Sequence, residues 1–255
     1  MKISKLIFLM LLVCHAAFAK VKVTLQSGTV RTMDSLVVKD GRLLLSAENV
    51  QVPVVQVVSA EFTFDGFSTG QCRELLDRGD ADGVIKKIAD AGTSLLAAVS
   101  MKGNAPEWLR LLSRAQFHSG DYAAAIATMQ TLRQTGNLSA EEFAPYEIIS
   151  LIEANRIAEA AKMFDAAKMS DKAAAEFILA RLSASRSDYK EALQHLARLQ
   201  IFYYREKEWM PCALFYEGLV SKQAELPTAS AAAVQELETL YPASRWCRIA
   251  KEQLK

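Results

Sequence analysis

The stretch Ser119-Gly120-Asp121-Tyr122-Ala123-Ala124-Ala125-Ile126 constrains this chain more than any other. Before it, Leu109, Leu112 and Phe117 recur at helical spacing in a run that starts at Pro106; after it, Ile126, Met129 and Leu132 form a second apolar stripe. Two amphipathic helices joined by so short a turn must lie antiparallel. Gly120 can adopt the positive φ that ends the first helix, and Asp121 is a good N-cap for the second. Ala125 is small where the helices cross, so they can pack closely.

The pattern recurs. Tyr122, Ile157 and Tyr189 are equivalent positions, as are Ala125, Ala160 and Ala192, at spacings of 35 and 32 residues. The larger side chains that follow are Met129, Phe164 and Leu196, while Gly79-Asp80 repeats the turn ahead of Val84, Ile85 and Ile88. A further first helix runs from Trp209 to Glu225, and Ala233-Val234, Leu237 and Leu240 supply its partner.

On these residues the chain resembles tetratricopeptide-repeat (TPR) proteins of the exported bacterial type, whose unit is about 34 residues long. The resemblance spans Gln71 to Leu254. Its best units are 106–138 and 171–202; the 139–168 unit has Asn155-Arg156-Ile157 where the turn glycine belongs, and the 209–240 unit carries Pro227 in a longer loop. It implies an all-α, right-handed TPR-like solenoid over residues 68–255, capped by a helix at Ser244–Leu254. It also implies that first helices line a concave, partner-binding face.

The remainder of the chain divides in two. Residues 1–19 read as a signal peptide: Lys2 and Lys5, then the apolar run Leu6–Val13, then Ala17-Phe18-Ala19, with cleavage expected before Lys20. Residues 20–67 alternate in the manner of strands, with turns at Gln26-Ser27-Gly28, Asp40-Gly41 and Glu48-Asn49. About five short strands there predict a small curled sheet or SH3-like β-barrel. The expected class is therefore α+β in separate domains.

Chemistry is sparse. Thirty basic residues face twenty-nine acidic ones, and removing Lys2 and Lys5 leaves twenty-eight against twenty-nine, which argues against nucleic acid as a partner. His118 and His195 have no Cys, Ser or carboxylate at ligand or triad spacing and read as surface residues. Glu141, Glu142, Glu206 and Glu208 read as solvated faces or helix-start charges. No catalytic residue, metal or cofactor is expected. Cys72, Cys212 and Cys247 read as buried thiols; a bridge between Cys212 and Cys247 would need an unusually close helix approach.

Binding is the remaining expectation. If first helices line the concave face, Arg110, Arg114 and Phe117 stand on one of them and Phe177 and Arg181 on another. Cations beside aromatics suit an acidic or C-terminal carboxylate peptide, although the family's clamp uses Lys and Asn, and here Arg stands at two of those positions and the Asn is missing. In Ile201-Phe202-Tyr203-Tyr204 and Trp209, Phe202 and Trp209 are expected to seal a repeat junction, leaving Tyr203 or Tyr204 as a contact. The expected role is an exported scaffold for a protein or peptide partner, in the periplasm or at the inner face of a bacterial outer membrane. The alternative is a cell-wall or glycan binder acting through the β-domain.

Overall fold

The computed structural model describes residues 19–45, 50–167 and 169–254. The expected signal peptide and the Glu48-Asn49 turn lie outside them, apart from Ala19. Two small antiparallel sheets come first and helices follow, an α+β arrangement.

Strands β1 (Ala19–Leu25), β2 (Val30–Met33) and β6 (Val57–Phe64) form one sheet in the order β2-β1-β6. Strands β3 (Val37–Lys39), β4 (Arg42–Leu45) and β5 (Val50–Pro53) form the other, in the order β3-β4-β5. The Asp40-Gly41 hairpin forms as its sequence requires, with φ of 51° and 71° at the two turn residues. Neither the expected single curled sheet nor the SH3-like barrel forms: among the described residues no ladder joins the two sheets, and a 3-10 turn at Val54–Gln56 separates β5 from β6.

The change of period at Ser68 marks the first helix, yet the apolar core runs straight across it. Val21, Val23, Phe62 and Phe64 share one buried cluster with Val84, Ile88, Leu95 and Trp108. Asn104 clamps β6, accepting from Phe62 N at 2.8 Å and donating to Phe62 O at 2.9 Å. Phe64 packs on the Trp108 ring at 4.5 Å. The sheets are thus one wall of the first helices' core.

The helices are α1 (Thr69–Asp77), α2 (Ala81–Ile88), α3 (Gly92–Ala97), α4 (Ala105–Ser119), α5 (Tyr122–Gln134) and α6 (Ala140–Glu153). They continue as α7 (Ile157–Ala166), α8 (Lys172–Ser185), α9 (Tyr189–Phe202), α10 (Met210–Gln223), α11 (Pro227–Leu240) and α12 (Arg245–Gln253). Five short turns, α1–α2, α4–α5, α6–α7, α8–α9 and α10–α11, end their first helix in the same way. Gly79, Gly120, Asn155, Ser187 and Glu225 take φ of 77°, 97°, 59°, 62° and 59°. In each turn the next residue's N–H reaches back five residues, as from Asp121 to Gln116 O or Arg156 to Leu151 O. Ala125, Ala160 and Ala192 are all fully buried.

Why glycine stands at only two of these turns follows from α12. A Cβ on Gly120 would lie 2.6 Å from Arg245 Cζ, and one on Gly79 would lie 2.8 Å from Ser244 Cβ. The N-terminus of α12 therefore lands on the α1–α2 and α4–α5 turns, where Arg245 donates to Tyr122 OH at 3.0 Å and Arg248 pairs with Asp82 at 2.8 Å. Contacts of this kind go beyond neighbour-on-neighbour stacking. At their centre is α10, apolar on every face, with ten of its fourteen residues buried.

Candidate functional site

A cleft of about 300 Å³ opens between first helices. Arg73 comes from α1, Glu107, Arg110 and Arg114 from α4, and Glu141, Glu142 and Tyr146 from α6. Asp171, the N-cap of α8, and Glu208, just ahead of α10, close its inner end. Leu111, Met129, Leu132 and Pro145 give it an apolar lining.

Each arginine is already held by the chain. Arg73 pairs with Glu107. Arg110 pairs with Glu142 at 2.9 Å and also donates to Asn137 O. Arg114 forks onto Glu208, Nε to Oε1 at 2.9 Å and Nη2 to Oε2 at 2.8 Å. Glu208 further accepts from Tyr146 OH at 2.5 Å and lies 3.2 Å from His118 Nε2. Burial alone would raise the Glu208 carboxyl, but the Arg114 charge, then His118 and Tyr146, more than offset it and leave it at about 2. Burial chiefly, then the Glu208 charge, pushes the Tyr146 phenol well up, so Glu208 stays ionised and Tyr146 protonated through neutral pH.

Beside this pair lies Trp209. Its ring stacks on Phe177 at 6.3 Å and meets Phe117, His118 and Tyr146 at 6.2, 5.7 and 5.5 Å. Its indole N–H donates to Asp171 Oδ2 at 2.8 Å, while Asp171 Oδ1 caps α8 by accepting from Ala174 N. Three of the residues expected to grip an acidic or C-terminal carboxylate peptide, Arg114, Phe117 and Phe177, thus hold an acidic-aromatic pair of this chain, Glu208-Trp209.

Two acceptors in the cleft remain uncommitted. The Glu141 carboxylate makes no hydrogen bond or ion pair among the described residues. Its backbone carbonyl loses its helical donor because Pro145, four residues on, has no N–H. Counting charges on the lining, Arg73, Arg110 and Arg114 face Glu107, Glu141, Glu142, Asp171 and Glu208, a formal excess of two negative charges.

The structure redraws several expectations. Arg110 and Arg114 share the cleft, but Phe117 and Phe177 are buried around Trp209 and cannot meet a partner directly. Arg181 belongs to a separate cluster, paired with Glu153 and lying 3.7 Å over the Tyr216 ring. His195 is not a surface residue: it is buried, with Nδ1 2.6 Å from Glu176 Oε2 across the α8–α9 hairpin. His118 and Glu208 are likewise partners rather than solvated side chains. Trp209 seals the core as expected, but Phe202 is exposed because it lies on the side of α9 that carries Arg198, away from the buried Ala192, His195, Leu196 and Leu199. Tyr203 packs against the core and Tyr204 faces water.

Cys72, Cys212 and Cys247 are all free and buried, so no Cys212–Cys247 bridge exists. Among the described residues no group of three or more His, Cys, Asp and Glu could hold a metal ion, and no helix is long and apolar enough to cross a membrane. The glycan alternative looks to the β-region, whose exposed large apolar side chains are Val30, Val37, Val55 and Val58, aliphatic groups rather than flat rings for a sugar to stack on. No protein family, curated protein or solved structure matches the chain.

Proposed function

We propose that this is an exported, non-catalytic scaffold whose TPR-like hairpins bind a protein segment in the cleft between first helices. The observation that carries this reading is the make-up of the cleft: α1, α4, α6 and the start of α8, the successive first helices of the repeats, all contribute to it, with Met129 and Leu132 of α5 added from one second helix. The shared turn geometry and the three buried alanines support the repeat reading, and α12 acts as the cap. The groove is held open by side chains already tied to one another, so little ordering cost falls on the scaffold when a partner enters.

The arginines spent on internal carboxylates turn the partner chemistry round. An acidic peptide would have to displace Glu142 or Glu208, whereas the uncommitted Glu141 carboxylate and carbonyl accept hydrogen bonds. The segment that suits the cleft is extended, carries a Lys or Arg, and has aliphatic neighbours for Leu111, Met129 and Leu132.

Selection of displayed peptides on the immobilised chain tests this. Enriched sequences should carry a cation flanked by aliphatic residues, and Glu141→Lys should weaken their binding several-fold without lowering thermal stability. Enrichment of acidic peptides, or binding indifferent to Glu141→Lys, contradicts the reading.

A further inference from the structure

Away from the cleft, α9 turns a face to water that changes character along its length. Lys190, Gln194, Ala197, Arg198, Ile201 and Phe202 are exposed at intervals of one to four residues and share one side of the helix. Its last turn carries Ile201 and Phe202 at 65% and 70% exposure, and Tyr204 follows at 58%. Tyr203 packs back on the core, so the loop is anchored while its neighbours project. No other described segment presents large apolar side chains this close together in sequence and this open to solvent.

The charges around this tip are equally distinctive. Most arginines of the helical part reach a carboxylate: Arg73, Arg110, Arg114, Arg156, Arg181 and Arg248 all do. At the tip, Arg198 and Lys207 have no such partner among the described residues, and Arg205 donates only to Tyr204 OH, at 3.0 Å. Glu206 is the one carboxylate from Arg198 to Lys207. Glu217 of α10 accepts from Gln200 beside this last turn but is half-buried there, so Arg198, Arg205 and Lys207 outnumber Glu206, the exposed carboxylate of the tip.

We infer that the C-terminal end of α9 and the loop after it dock on an anionic lipid surface. Ile201 and Phe202 enter the boundary between headgroups and acyl chains, Tyr204 lies at headgroup level, and Arg198, Arg205 and Lys207 meet lipid phosphates. Charge complementarity names this occupant. A fluid surface also takes two adjacent projecting side chains, about 100° apart on the helix, without a matching recess. A folded acidic partner would have to supply both the recess and the carboxylates. The inference is independent of what the cleft binds.

The test uses the full chain with Cys14→Ser and Glu206→Cys, labelled with an environment-sensitive fluorophore; the three remaining native cysteines are buried, which directs the label to the exposed site. Vesicles containing phosphatidylglycerol should shift the emission to the blue, and pure phosphatidylcholine should not. The additional double change Ile201→Ser with Phe202→Ser should abolish the shift and lower vesicle partitioning roughly tenfold while leaving thermal unfolding unchanged, because both side chains are exposed. Reading the label at residue 206 separates this contact from any made by residues 1–19. No shift with anionic vesicles overturns the inference, as does a shift that survives the double change. Loss of a crosslinked protein neighbour in the double variant, with vesicles ignored throughout, would place a protein there instead.

Discussion

In the pair Arg114–Glu208, 94 residues apart in sequence, two guanidinium nitrogens, Nε and Nη2, donate to the two carboxylate oxygens. The pair ties α4 to the start of α10 and closes the cleft at its inner end. Tyr146 and His118 complete the shell around an acid only 18% exposed at its side chain.

That arrangement predicts a pH dependence. The Glu208 carboxyl sits at about 2 in the folded protein, below its usual value of 4.5, so the folded state gains stability from it above pH 4.5. This contribution disappears as pH falls from 4.5 toward 2. The gap corresponds to on the order of 3 kcal/mol. Urea unfolding at pH 7 and pH 3 should show a clear loss for the parent chain. Glu208→Gln should be less stable at pH 7 and much flatter between those two values. An unchanged slope in the variant would mean that other carboxyls carry the effect.

The turns make a second, sharper test. Glu225 holds a left-handed φ of 59° with an ordinary side chain, so Glu225→Gly should raise stability by about 0.5–1 kcal/mol. Gly120→Ala should lower it by more than about 1 kcal/mol, since the added Cβ meets both the unfavourable φ and the Arg245 guanidinium. Chemical denaturation midpoints of the two variants should therefore move in opposite directions.

The alanines at the helix crossings allow a third. Ala160 is the fully buried residue of α7, within the core cluster of the later helices. Ala160→Leu should cost about 1–3 kcal/mol by overpacking. Stabilisation by that change would show a loose crossing.

Thiol titration gives the fourth. Burial pushes the Cys72 thiol up to about 12, and Cys212 donates to Trp209 O at 2.9 Å from within the core. Neither these two nor the buried Cys247 should react with a thiol reagent in the native state, and all three should react on unfolding, with no prior reduction needed.

How far could the sequence see this? The hairpins were legible because their determinants are local: a residue able to take positive φ, an N-cap such as Asp80, Asp121 or Asp188, and, after the last two, a small residue one turn on. The strands of residues 20–67 were legible from alternation and Asp40-Gly41, but their division into two sheets depends on pairing that alternation does not encode. The Arg114–Glu208 and Arg245–Tyr122 contacts were not legible, since nothing near either residue marks a partner 94 or 123 positions away. His195 is the instructive miss. Glu176 lies 19 residues before it, and pairing the antiparallel α8–α9 register residue by residue would have brought the two opposite each other. Phe202 follows Arg198 by four residues and so shares its exposed side of α9, while the next residue, Tyr203, follows the buried Leu199 by four and packs inward; an aromatic-rich run does not show which of its rings continues the buried stripe.

The claim that the cleft between first helices is the working surface is tested most directly by photo-crosslinking in living cells. A photoreactive residue in place of Glu141, at the mouth of the cleft, should join to a protein neighbour; the same residue in place of Glu236, exposed on α11, should not. Equal yields at the two positions, or adducts at Glu141 containing only glycan or lipid, would contradict the account.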